Sequence, residues 1–424
     1  MKVLWVSNSP IGPAAEILGE EYAGTSGGWI KTEYEALPKE QVEMFFLCTS
    51  RTVKRGEIVE KTGEKGTAYC LYSPKISYGI KNPKTLGQNV QTVIDKIKPD
   101  IIQIWGTETC LSNIVSRCNK EIPKIVFIQG LLGIHKRYVG GYFSKKENKS
   151  LFKGETIFSR FKKFLQDILF KKQADVEIET IKNCKNVIVD NEFTIAYCKA
   201  LGDDVRAFKH PLLPNKKFFD YSWDISNIFK HTIFTVFGAT AEKGIHQLLK
   251  AVSIVKREYP DVKVVIPGNY PLDENGKLVK NKNNGYILAL YNLLDQLNLW
   301  DNIEFAGKLN IDGMAQNMCK ANVFVNPSCM EVHALSLREA TVVGTPCVTS
   351  VCGSVLEFLT HQHSALIYRY EEFEVLALYI KKIFADESFA KTLSENGKKA
   401  YKKLFETDVV DLIEMYEQSI GENK

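Results

Sequence analysis

Asn326-Pro327-Ser328-Cys329-Met330-Glu331-Val332-His333-Ala334-Leu335-Ser336-Leu337-Arg338-Glu339-Ala340 is the most informative stretch of the 424-residue chain. It follows an apolar run, Val323–Val325, and precedes Gly344-Thr345-Pro346 and a second apolar run, Cys347–Thr349. Pro327 and Ser328 mark a turn out of a strand, and the composition from Ala334 onward is helical. Glu331 then falls in the loop before the helix, and Glu339 falls about one and a half turns along it. A buried strand, a loop, a helix and another buried strand form the repeating unit of a doubly wound α/β domain.

The same alternation runs through the chain. Lys2–Val6, Val42–Leu47, Ile101–Trp105, Ile125–Ile128 and Val187–Val189 read as buried strands, and the pattern restarts at Thr232–Phe237, Val262–Ile266 and Ile303–Phe305. Two series of this kind predict an α/β fold with two doubly wound Rossmann-like domains. Pro211 and Pro214 break regular structure between them. The expected organisation is an N-terminal domain over 1–210, a linker over 211–230 and a C-terminal domain over 231–400. A helical segment over 401–424 can return to the first domain.

Each half places glycines after its first strand: Gly27-Gly28 before one helical segment, and Gly238 with Lys243-Gly244 before another. Glycine lets backbone approach a phosphate, and a helix start offers unpaired N–H groups and positive dipole. Glu331 and Glu339 flank the helix start near Ala334 and Leu335. Carboxylates suit the hydroxyls of a sugar and a ribose, while the amides between them suit a diphosphate. His333 lies between the two acids and can contact the same ligand or serve as a packed residue.

The run Glu331-x7-Glu339-Ala340, with Pro327-Ser328 before it and Gly344-Thr345-Pro346 after it, resembles the signature of the retaining GT-B glycosyltransferases of family 4. Lys2–Val6 with Gly27-Gly28, Pro99–Gly106, Gly238 to Gly244 and Phe305-Ala306-Gly307 resemble other parts of that family in the same order. The resemblance implies a GT-B fold, with two Rossmann-like domains facing a central cleft. It implies a retaining, metal-independent hexosyltransferase that takes a nucleotide diphospho-sugar, UDP- or GDP-linked, and needs no cofactor. Glu331 would meet the donor sugar, Glu339 the ribose and Lys243 the diphosphate. The acceptor would be a glycan or a lipid-linked glycan in cell-surface polysaccharide or glycoconjugate synthesis. Two positions depart from the family: Ala239 and Thr240 stand where an arginine is usual, and Gln129 stands where His-Gly usually begins. Gln129 can hydrogen-bond a reacting sugar but cannot carry an imidazolium charge. A nucleotide-sugar epimerase of the same fold and a non-catalytic surface-binding protein on a degenerate transferase scaffold are the alternative readings.

Composition narrows the partners. A net charge of +5 does not demand nucleic acid, and none is expected. Ten scattered cysteines without a CxxC pair read as buried thiols of a reducing compartment. No run is long and apolar enough for a signal peptide or a membrane span, so a cytoplasmic protein is expected. Basic residues concentrate between His135 and Gln173, notably Lys145, Lys146, Arg160, Lys162, Lys163 and Lys171. Ile157, Phe158, Phe161, Phe164, Leu165, Ile168 and Leu169 recur among them at helical spacing. This basic, Phe-rich helix either packs its apolar face on a domain or binds an acceptor or the anionic inner face of the cell membrane.

Overall fold

The computed structural model describes residues 1–20, 28–73, 84–236, 238, 240–404 and 411–421. The chain forms two compact units. One comprises Met1–Lys136, Asp167–Leu213 and Asp408–Lys424, and the other comprises Arg137–Gln166 and Pro214–Thr407.

The described residues of the first unit form eight strands: β1 (Lys2–Ser7), β2 (Glu43–Ser50), β3 (Ile58–Gly63), β4 (Gly66–Tyr72), β5 (Ile101–Trp105), β6 (Lys124–Phe127), β7 (Asn186–Val189) and β8 (Arg206–Lys209). They lie in the order β3-β4-β2-β1-β5-β6-β7-β8, parallel except for β3, which pairs antiparallel with β4. Every residue of β5 is buried, Gln103 included, as a strand covered on both faces requires. The β3–β4 hairpin was not expected: its outer strand carries Glu60 and Lys61 and lacks that apolar signal.

The second unit holds β9 (Thr232–Thr235), β10 (Lys263–Pro267), β11 (Ile303–Gly307), β12 (Val323–Asn326), β13 (Cys347–Ser350) and β14 (Leu366–Tyr368). All pairs are parallel, and the order β11-β10-β9-β12-β13-β14 is the doubly wound order of a dinucleotide-type sheet.

Two stretches group differently from the sequence-based boundaries. Residues 137–166, expected in the N-terminal domain, belong to the second unit: Leu151 is part of its core, and Phe143 stacks on His246 at 4.2 Å. Residues 214–230, expected as linker, also pack there. Phe218 and Trp223 are buried, and the Trp223 indole donates to the Ala321 carbonyl at 2.8 Å. An apolar side chain every few residues turns a spacer into part of a core.

All ten cysteines are free, and eight are buried. Burial pushes the Cys184 and Cys347 thiols up to about 12, which makes them unreactive packing groups. No described helix is long and apolar enough to cross a membrane.

The helix Leu412–Gly421 is tied to the first sheet by Tyr416, which is fully buried. Its hydroxyl accepts from the Trp5 indole at 2.9 Å and donates to the Gln103 side-chain oxygen. Tyr416→Phe strands both partners in a dry core. Urea unfolding should show a loss of about 1–3 kcal/mol.

Candidate functional site

In a doubly wound sheet, ligands bind beyond the carboxyl ends of the strands, where the strand order reverses. In the second unit that point lies between β9 and β12, so the loops after these two strands build the site. The loop after β9 includes Gly238, whose N–H donates to the Tyr270 hydroxyl at 3.3 Å. It continues through a tight turn, Ala241–Lys243, to Gly244 and the helix Ile245–Val255. Gly244 has φ +71, and a Cβ there would lie 1.8 Å from the Pro327 carbonyl oxygen. Only glycine allows this approach of the two loops. The Cys329 N–H also donates to the Glu242 carbonyl at 2.8 Å. On the other side Gly353, φ +50, leaves room for the Glu331 carbonyl, which a Cβ would meet at 2.1 Å.

Held between these neighbours, Glu331 meets Lys243. The Lys243 ammonium is 2.6 Å from Glu331 Oε1, and the Ser328 hydroxyl donates to the same oxygen at 2.7 Å. Burial works against the Lys243 charge, but the attraction of Glu331 and its hydrogen bond outweigh it and hold the ammonium above its usual range. Lys243 therefore stays charged. Ala334 precedes the helix Leu335–Val343 with φ 48, a left-handed conformation costing about 1–2 kcal/mol for a residue with a Cβ. That bend aims the helix start, whose first N–H groups have no partner within the helix. Glu339 lies one turn past Leu335. It is half-buried, no side chain among the described residues hydrogen-bonds to it, and desolvation alone pushes its carboxyl up to about 8.

The structure thus gathers Gly238, Lys243, Glu331, Ala334, Leu335 and Glu339 around the β9–β12 reversal. His333 is buried, and its carbonyl accepts from the Ser354 hydroxyl at 3.3 Å. Arg338 does not stand in for the missing loop arginine. It is fully buried, donates to the Ser354 hydroxyl at 3.1 Å and lies over the Phe358 ring. Gly27 and Ala239 lie outside the described residues. Gly28 opens the helix Gly28–Ala36 of the first unit.

Gln129 follows β6 in the first unit. Its Oε1 and the Glu108 carboxylate both approach Gly106, within 3.3 Å and 3.2 Å of where a Cβ would stand. Below this loop lies Glu177, fully buried, which sequence reading missed. It accepts from the N–H groups of Leu132 at 2.9 Å and Gly133 at 3.0 Å, and from the Thr107 hydroxyl at 3.3 Å. Burial pushes its carboxyl up to about 7 despite these bonds. The available signal was an acid on the stripe Ala174, Ile181 and Cys184, otherwise buried and apolar. The basic residues divide: Lys145 and Lys146 start the helix Lys145–Leu151, and Arg160, Lys162, Lys163 and Lys171 lie on the helix Ile157–Cys184.

Residues 226–400, which contain the whole β9–β12 site, match the family described as glycosyl transferases group 1. Over 189 residues the chain is 23% identical to the capsular polysaccharide biosynthesis glycosyltransferase CapM of Staphylococcus aureus, covering 43% of this chain and 45% of that protein. The chain spans about half the length of the curated relatives it matches. Among solved structures, the sucrose-phosphate synthase of Thermosynechococcus elongatus superposes with a TM-score of 0.70 at 17% identity, covering 100% of both chains. Anabaena HepE in complex with UDP-glucose superposes with a TM-score of 0.64 at 14% identity, covering 100% of this chain and 98% of that one. The fold is accordingly that of the GT-B glycosyltransferases, two units each built on a mainly parallel sheet.

Two outcomes test the site geometry. Folded Glu339 keeps its proton up to about pH 8, whereas the unfolded carboxyl keeps it only to about 4.5. The folded chain therefore binds more protons across that interval, and its stability falls as pH rises through it. Glu339→Gln should raise the melting temperature most above about pH 8 and hardly at all below about pH 4. Gly244→Ala forces the two loops apart and strains the backbone. Thermal melts should show a loss exceeding about 1 kcal/mol.

Proposed function

We propose that the chain is a retaining, metal-independent hexosyltransferase. Its donor is a nucleoside diphospho-sugar, UDP- or GDP-linked, and its acceptor is a glycan or lipid-linked glycan of a cell-surface polysaccharide or glycoconjugate. The observation that carries the reading is the Lys243–Glu331 pair at the strand-order reversal, beside an open helix start and the unpaired Glu339. The likeness to CapM, a capsular polysaccharide biosynthesis glycosyltransferase, and to HepE, solved in complex with UDP-glucose, supports the same class of chemistry. A cytoplasmic chain working at the inner face of the cell membrane fits this role.

Each group has a task in this reading. The donor diphosphate lies against the N–H groups at the start of Leu335–Val343 and draws the Lys243 ammonium to itself. Glu331 is then released to accept from a hydroxyl of the sugar. Glu339 accepts from the ribose hydroxyls, which offsets the cost of keeping a bare carboxyl out of water. When the bond from the anomeric carbon to the diphosphate oxygen breaks, negative charge grows on the leaving group, and Lys243 and the helix N–H groups stabilise it. In the first unit, Gln129 and Glu108 offer hydrogen bonds to acceptor hydroxyls. The residues name no nucleophile or general base, so the chain's contribution is stabilisation of the leaving group and positioning.

Incubation with a panel of sugar nucleotides in the presence of EDTA should show slow release of nucleoside diphosphate from one donor, with the sugar unchanged. Lys243→Ala should slow that release by about 100- to 1,000-fold. Release from no donor, conversion of the sugar to an epimer, or full activity of Lys243→Ala would each overturn the reading.

A further inference from the structure

The helix Ile157–Cys184 changes character along its length. Its last turns bury Ala174, Glu177, Ile181 and Cys184. Its first half is the reverse: every residue from Arg160 to Leu169 is exposed, although many are apolar. Phe158, Phe161 and Phe164 are 67%, 56% and 60% exposed, and Ile157 is 86% exposed. With Leu165 and Ile168 they form one stripe about 120° wide at helical spacing. Three large aromatic rings held in water on a single helix are unusual for a surface that nothing covers.

The charges around the stripe indicate what covers it. Lys162, Lys163, Lys171 and Lys172 are exposed and make no ion pair with a described residue. The nearby acids are already engaged. Glu155 accepts from Ser159 at 2.7 Å and lies 3.6 Å from Arg160, and Glu147 pairs with Lys250. Asp167 and Asp175 stand exposed among these cations. Two copies of the chain pairing through this stripe would bring these cations against one another. An anionic surface with an apolar interior meets both requirements at once: headgroups for the lysines and acyl chains for the phenylalanines.

We propose that the segment Ile157–Leu169 is a membrane-docking helix. It lies in the headgroup layer of an anionic lipid bilayer, with the Phe158–Phe161–Phe164 stripe inserted and the lysines at phosphate level. The proposal rests on this surface alone and stands apart from the transfer reading, which is tested on soluble donors.

Flotation of the full chain with vesicles tests it. At low salt the protein should float with vesicles of phosphatidylcholine containing phosphatidylglycerol, and stay behind with phosphatidylcholine alone. Phe158→Ser/Phe161→Ser/Phe164→Ser should weaken binding by about 100-fold. Lys162→Glu/Lys163→Glu should weaken it by about tenfold or more. These positions are exposed, so unchanged melting curves serve as the control for folding. The proposal fails if the wild-type chain does not float, if the triple variant floats equally well, or if the stripe instead supports a dimer in size-exclusion chromatography that the triple variant dissolves.

Discussion

The contact on which the site depends is the approach of Gly244 to the Pro327 carbonyl, closed by the ion pair between Lys243 and Glu331. The two loops leave neighbouring strands, β9 and β12, at the place where the sheet reverses its order. Without a side chain at 244 they come within backbone contact, so Lys243 reaches a carboxylate 88 residues later in the chain. The pair then satisfies two charges that the surrounding core would otherwise penalise. Gly353 closes the arrangement from the β13 side by leaving room for the Glu331 backbone.

The uncompensated acids show where stability has been given up. Glu177 is buried but accepts three close hydrogen bonds, and it pins the loop that carries Gln129. Glu339 has no such partners among the described residues, and desolvation alone raises it further than Glu177. A carboxyl held this way costs stability unless it is hydrogen-bonded. The left-handed Ala334 is a second local cost at the same helix. Such costs cluster around the β9–β12 reversal, where the fold and the chemistry most closely coincide.

The helix Ile157–Cys184 shows one sequence pattern meeting two environments. Its apolar spacing suits packing throughout, yet only the second half finds a core to pack on. The first half keeps its phenylalanines in water beside unpaired lysines. Periodicity identifies an amphipathic face, but whether the protein itself covers that face is decided by what the rest of the chain places opposite it.

Several features were legible in the sequence because they rest on local rules. The strands β1, β5, β9 and β12 are mainly apolar, largely buried runs, and Gly244 and Glu331 stand in the loops that follow β9 and β12. The helix after Ala334 follows from composition, and so does the position of Glu339 along it. Other features depend on partners distant in the chain. Nothing near Lys243 in sequence announces Glu331, and nothing near Arg338 announces Ser354 or Phe358, which turn its charge away from the site. The packing of 137–166 and 214–230 into the second unit follows from the burial of Leu151, Phe218 and Trp223, which spacing alone does not reveal. Sequence determined the strands, the glycine positions and the two acids, because backbone sterics and hydrophobic periodicity act over a few residues. Tertiary structure decided which charges are paired, which are desolvated and which apolar face stays uncovered, because burial and Coulomb interactions depend on distance in space.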